Sequence, residues 1–226
     1  VHSNPENPII GKRAISSNRD VVARLGCKII QGFKDAGTFP VGKHFPGHGD
    51  TSQDSHLTLP RVERSKESLE KIELVPFAQA FQEGLDVIMT AHVVYPAWDE
   101  DSAATFSNYI LNDLLRIKMQ FQGLVMSDDL EMQAVTQTPE ELPALAINAG
   151  VDLFLICHDL DKVTRLQDAM IDGIETGKIP HETVDHSFNR IIKSKEKLTD
   201  DDEMDLEQIL EENQKLAEEM RSYLTE

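Results

Sequence analysis

A chain of 226 residues with 40% apolar content is long enough for one domain with a sizeable core. Its formal net charge of −18 excludes nucleic acid and anionic membrane surfaces as natural partners. No apolar run approaches the roughly 18 residues of a membrane span. The cysteines, Cys27 in a helical and Cys157 in a strand-like context, suggest buried thiols in a reducing compartment rather than a disulfide framework; the expected location is cytoplasmic, with a secreted or lipoprotein form as the alternative.

Residues 1–17 read as a loop, because Pro5, Pro8 and Gly11 break any period; Arg13 sits in it. From Asn18 to Ala36, Val21, Val22, Leu25, Ile29, Ile30 and Phe33 recur at helical spacing, and Gly37 stops the helix. Phe39–Gly42 reads as a short buried strand, and the polar run Lys43–His56 begins where it ends. A helical stretch covers Lys66–Glu83, with Pro76 marking a break or a new first turn. A strand follows from Asp86 to His92, a helix at Ser107–Lys118 and a strand from Phe121 to Ser127 that ends in Asp128 and Asp129. A helix over Pro139–Ala149, a strand over Val151–Ile156 and helices over Asp161–Thr176 and Glu182–Lys197 close the globular part, residues 1–198. The tail, 199–226, holds 11 acids against Lys215 and Arg221, half of the net charge. Its Leu206, Ile209, Leu210, Leu216 and Leu224 at heptad-like spacing predict a solvated helix that packs one face or a partly disordered extension.

Strand–helix alternation, four times over, predicts an α/β fold with a parallel sheet. Three strands run directly into ionisable residues: Lys43 and His44, His92, and Asp128 with Asp129. That favours a (β/α)8 TIM-barrel type, whose sites gather at the strand C-termini. Among the loops, Lys43–His56 is the densest in chemistry: three histidines, two aspartates and a lysine in 14 residues. Asp54 and His56, one residue apart, can form a pair in which the carboxylate fixes the imidazole tautomer and raises its pKa toward 7. Of Asp128 and Asp129, adjacent carboxylates on opposite sides of a strand, only one can face a reaction centre; the other caps the next helix. A proton donor on one loop and a carboxylate on a facing strand is the division of labour of retaining glycoside cleavage. The alternative, a metal set of His44, His48, Asp50, Asp54 and His56, matches no common zinc spacing, so no metal or cofactor is expected.

These residues resemble family 3 glycoside hydrolases, in the bacterial β-N-acetylglucosaminidase (β-N-acetylhexosaminidase) branch that recycles cell-wall fragments. The motifs are Lys43–His56, Asn4–Arg13, Met89–Pro96, Ser127–Met132 and Ala149–Cys157, in that order over residues 1–197. The resemblance implies that Asp128 is the nucleophile and His56, oriented by Asp54, the general acid/base. Arg13, Lys43 and His44 would then bind the hydroxyls of a terminal N-acetylglucosamine from a peptidoglycan-derived substrate. The family's barrel has eight strands, and this chain carries about the last four β/α units plus the acidic helical tail. The expectation is that such a half-barrel self-associates through its open edges, with Val87, Ile88, Leu124, Val125, Leu153 and Leu155 uncovered, and is poorly active alone. An inactive half-barrel with a binding role, and less so a metal-dependent hydrolase, are the competing expectations.

Overall fold

Six strands occur among the described residues: β1 (Val41–Phe45), β2 (Val87–Thr90), β3 (Val94–Tyr95), β4 (Asp99–Ala103), β5 (Leu124–Asp129) and β6 (Leu153–Leu155). Four of them form one parallel sheet in the order β1-β2-β5-β6. The structure is a computed structural model that describes residues 1–51, 59–198 and 206–222.

Helices fill each crossover. Asn18 caps α1 (Arg19–Asp35), its side chain accepting from the Asp20 and Val21 amides, and Ser65 caps α2 (Lys66–Ile72) through the Ser68 amide. The chain breaks at Glu73 and restarts as α3 (Leu74–Gln82), with Pro76 in the first turn, where its missing N–H costs nothing. Tyr109–Lys118 winds with π-helical pitch and buries Ile110, Leu111, Leu114 and Leu115. After β5 come α4 (Leu142–Ala149), ended by Gly150 at φ 115°, then α5 (Leu160–Glu175) and α6 (His181–Lys195). The tail forms α7 (Leu206–Ser222), on which Leu210 and Leu216 are exposed.

The parallel α/β architecture follows the alternation read from the sequence. Three details differ. β1 begins later and runs on through Phe45, and β5 runs on to Asp129, so Lys43, His44, Asp128 and Asp129 are strand residues rather than loop residues. Their neighbours extend them: Phe45 pairs with Thr90 and Asp129 with Leu155, and such ladder partners are invisible to a local pattern. The antiparallel β3–β4 hairpin was not expected, since Asp99, Glu100 and Asp101 hide the strand character of β4.

The largest difference concerns the core. Val87, Ile88, Leu124 and Val125, expected to be uncovered, are all buried, and only Leu153 and Leu155 stay half-exposed. β2 and β5 are the inner strands of the sheet, and Ile88 and Val125 pack with Ile110, Leu111 and Leu115 of the π-helix. The open apolar surface lies instead beside β1, which has no second strand neighbour among the described residues. There Leu25, Ile29 and Phe33 of α1 and Val41 are exposed. A groove of about 500 Å³ runs along this edge from Phe33 and Ile29 to Arg13, His44 and His48. Among the described residues no helix is long and apolar enough to cross a membrane.

Candidate active site

The C-terminal ends of β1, β2 and β5 bring His44, His92 and Asp128 together. His44 Nε2 lies 3.5 Å from Asp128 Oδ2. Burial lowers the His44 pKa to about 3, helped by the neighbouring His48, Lys43 and Arg13. The imidazole is therefore neutral near pH 7, and the contact is a polar approach rather than an ion pair. Asp128 Oδ1 accepts the Asp129 amide at 2.8 Å, so the carboxylate is steered by its own backbone while keeping partial solvent access.

Asp129 turns the other way. Its Oδ1 accepts the Glu131 amide at 3.0 Å, closing a local turn, and its carboxylate meets the Cys157 thiol. The two adjacent acids thus face different sides, as strand alternation requires. The acceptor role foreseen for the second one is real, but it serves a turn: α4 begins only at Leu142. Cys157 is exposed and Cys27 half-buried, which corrects the expectation of two buried thiols; both are free. Cys157 emerges because β6 ends at Leu155.

His48 is buried against the edge of the His44 ring, with 5.5 Å between centroids, and its Nδ1 lies 3.0 Å from Thr51 Oγ1. Burial lowers its pKa as well. Asn7 ties the N-terminal segment to this loop, donating to the His48 carbonyl and to Thr51 Oγ1. Arg13 lines the groove beside His44 and donates to the Ile9 carbonyl, and Lys43 lines the same groove with its side chain exposed. Asp54 and His56 lie outside the described residues. Of the metal set weighed from the sequence, His44, His48 and Asp50 form no metal-holding group among the described residues. Asp50 is held by Arg64 through two hydrogen bonds of 2.6 and 2.8 Å.

Several positioning residues escaped the sequence reading. The buried Tyr95 hydroxyl donates to the Gly47 carbonyl at 2.7 Å and anchors the motif loop to the β3–β4 hairpin. Gly47 adopts φ 140°, and a Cβ there would lie 2.7 Å from the Glu73 side chain. Glu73 itself is 3% exposed, and burial raises its pKa. Glu131 receives the amides of Cys157, His158 and Asp159 at 2.7, 2.7 and 2.9 Å and locks the exit of β6 to that of β5. Asp129, Glu131 and His158 also bring possible ligand atoms within 4.8 Å, but those three amides already engage both Glu131 oxygens. No periodicity in the sequence signals such contacts, which join distant segments.

Residues 1–194 match the family described as Glycosyl hydrolase family 3 N terminal domain. A "Beta-hexosaminidase A" of Pseudoalteromonas piscicida is 36% identical over 218 residues, 88% of this chain and 36% of its own length. A "Beta-hexosaminidase" of Tolumonas auensis is 42% identical over 170 residues, 74% of this chain and 49% of its own. Among solved structures, a glycoside hydrolase family 3 beta-N-acetylglucosaminidase from Paenibacillus sp. str. FPU-7 superposes with a TM-score of 0.87 at 38% identity, covering 91% of this chain and 40% of that one. The chain spans half or less of the length of these relatives.

Proposed function

The chain belongs to glycosyl hydrolase family 3, and from that premise we propose that it carries the nucleophile side of a retaining β-N-acetylhexosaminidase. The observation that carries the reading is Asp128: a carboxylate at a strand end, partly open to solvent and 3.5 Å from a buried neutral imidazole. Asp128 attacks the anomeric carbon of a terminal β-linked N-acetylglucosamine and forms a glycosyl ester as the C–O bond to the leaving group breaks. His56, oriented by Asp54, protonates that leaving oxygen and then deprotonates the water that hydrolyses the ester. Because His44 is neutral, it steadies Asp128 without the ion pair that would blunt its attack. Lys43, Arg13 and His44 hold the sugar hydroxyls; the two cations are pure donors for that task. The proposed substrates are glycans derived from peptidoglycan.

The parallel sheet, the edges of β1 and β6 that are unpaired among the described residues and the apolar groove beside β1 support a (β/α)8 barrel of which this chain supplies four units. The family match ending at residue 194 supports a catalytic part at 1–198 with the acidic tail, 199–226, outside it. On this reading the chain alone pairs through its open edges, with itself or with the other half of the barrel, and turns over little substrate.

The functional test is His56→Ala in the intact protein. It should slow substrates with poor leaving groups by about 10²–10⁴ and spare the first step for nitrophenyl N-acetyl-β-glucosaminide, which needs little protonation. Equal losses on both substrates would remove the acid/base role.

A further inference from the structure

His92 is a buried imidazole that the proposed reaction does not use. It follows β2, is 1% exposed and stacks on Phe106 with 9° between the ring planes. Both of its nitrogens are engaged. Nε2 lies 3.1 Å from the carbonyl oxygen of Asp129, and Nδ1 lies 2.8 Å from Thr105 Oγ1. Thr105 Oγ1 in turn lies 2.8 Å from Thr90 Oγ1.

The proton positions follow from chemistry. A carbonyl oxygen only accepts, so Nε2 carries the hydrogen. Burial disfavours a second ring proton, so Nδ1 accepts, and the Thr105 hydroxyl donates to it at 2.8 Å while sharing its proton with the more distant Ala91 carbonyl at 3.2 Å. Thr90 then donates to Thr105. The result is a directed chain from Thr90 through Thr105 and His92 to the Asp129 carbonyl.

The peptide at the receiving end is held from both sides. Its carbonyl accepts from His92, beyond the end of β2, while its N–H, that of Leu130, donates to the Leu155 carbonyl of β6 at 2.9 Å. Asp129 is thereby fixed, and the Asp129 amide is the group that steers Asp128 Oδ1.

We propose that His92, in the Nε2–H tautomer, is a positioning residue that clamps the peptide after Asp129 and so aims the Asp128 carboxylate. The role in catalysis rests on the reading of Asp128 as nucleophile; the clamp itself rests on geometry alone.

Histidine side-chain NMR on the ¹⁵N-labelled chain reads the clamp directly. His92 should show a protonated Nε2 and a bare Nδ1 from about pH 5 to about pH 8. The opposite tautomer, or titration in that range, would overturn it. Kinetics on the intact protein read the positioning. His92→Phe keeps the packing but removes the donor and should lower kcat by up to about 10²-fold at nearly constant KM. His92→Gln retains an N–H donor and should recover part of that loss. Equal losses in both variants, or a change confined to KM, would overturn the positioning role. Covalent labelling of the wild type by a fluorinated N-acetylglucosaminide separates the two claims. A label on another carboxylate, with His92 in the expected tautomer, overturns the nucleophile; a label on Asp128 with the other tautomer overturns the clamp.

Discussion

Two carboxylates at opposite ends of the sheet do opposite things. The side chain of Asp152, just before β6, is wholly buried and receives five hydrogen bonds: from Ser187 Oγ, from Arg190 twice, from Arg116 and from the Val125 amide. Asp128, at the far end of β5, has its neighbour's amide at 2.8 Å and an uncharged imidazole at 3.5 Å. The first ties β5, β6, the π-helix and α6 into one unit, and nothing in its surroundings leaves an oxygen free to react. Among the described residues, the second is aimed but not saturated. A saturated carboxylate is architecture, and an aimed, unsaturated one at a strand end is where chemistry can occur.

The contrast predicts opposite responses to the same substitution. Asp152→Asn leaves Arg116 and Arg190 without their counter-charge and should cost about 3–5 kcal/mol of stability in urea unfolding. Asp128→Asn should change stability by less than about 1 kcal/mol, since few contacts are lost. Equal costs would erase the distinction between the two acids.

A smaller effect sharpens the active end. The His44 pKa falls from 6.5 in the unfolded chain to about 3 in the fold, so between these values the folded state binds fewer protons. This contribution is fully present above about pH 6.5 and is lost as pH falls toward 3. Burial lowers His48 and His92 in the same sense, whereas the raised pKa of Glu73 acts oppositely: its contribution is present at low pH and fades as pH rises through its folded value. Unfolding free energy should therefore decline as pH drops below about 6.5, and His44→Gln should flatten that slope. An unchanged slope would show that His44 is not buried in its neutral form.

Much of this was legible in the sequence. Apolar runs bounded by Gly and Pro gave the four parallel strands. Periodicity gave α1, and Pro76 marked the restart at α3. The adjacency of Lys43 and His44 to one strand and of Asp128 to another pointed to one end of one sheet. What stayed hidden depends on partners far along the chain. The extension of β1 to Phe45 comes from β2, and the burial of Val87 and Leu124 comes from their place on inner strands. The roles of Tyr95, Glu131 and His92 rest on contacts to backbone atoms of other segments. A sequence motif shows which residues stand together but not which carbonyl each will hold.

The central claim is that Asp128, rather than Asp129, attacks the sugar. A fluorinated N-acetylglucosaminide inactivator, followed by peptide fragmentation of the intact protein, tests it most directly. The account predicts one covalent label, on Asp128. A label on Asp129, or turnover with no label at all, would contradict it.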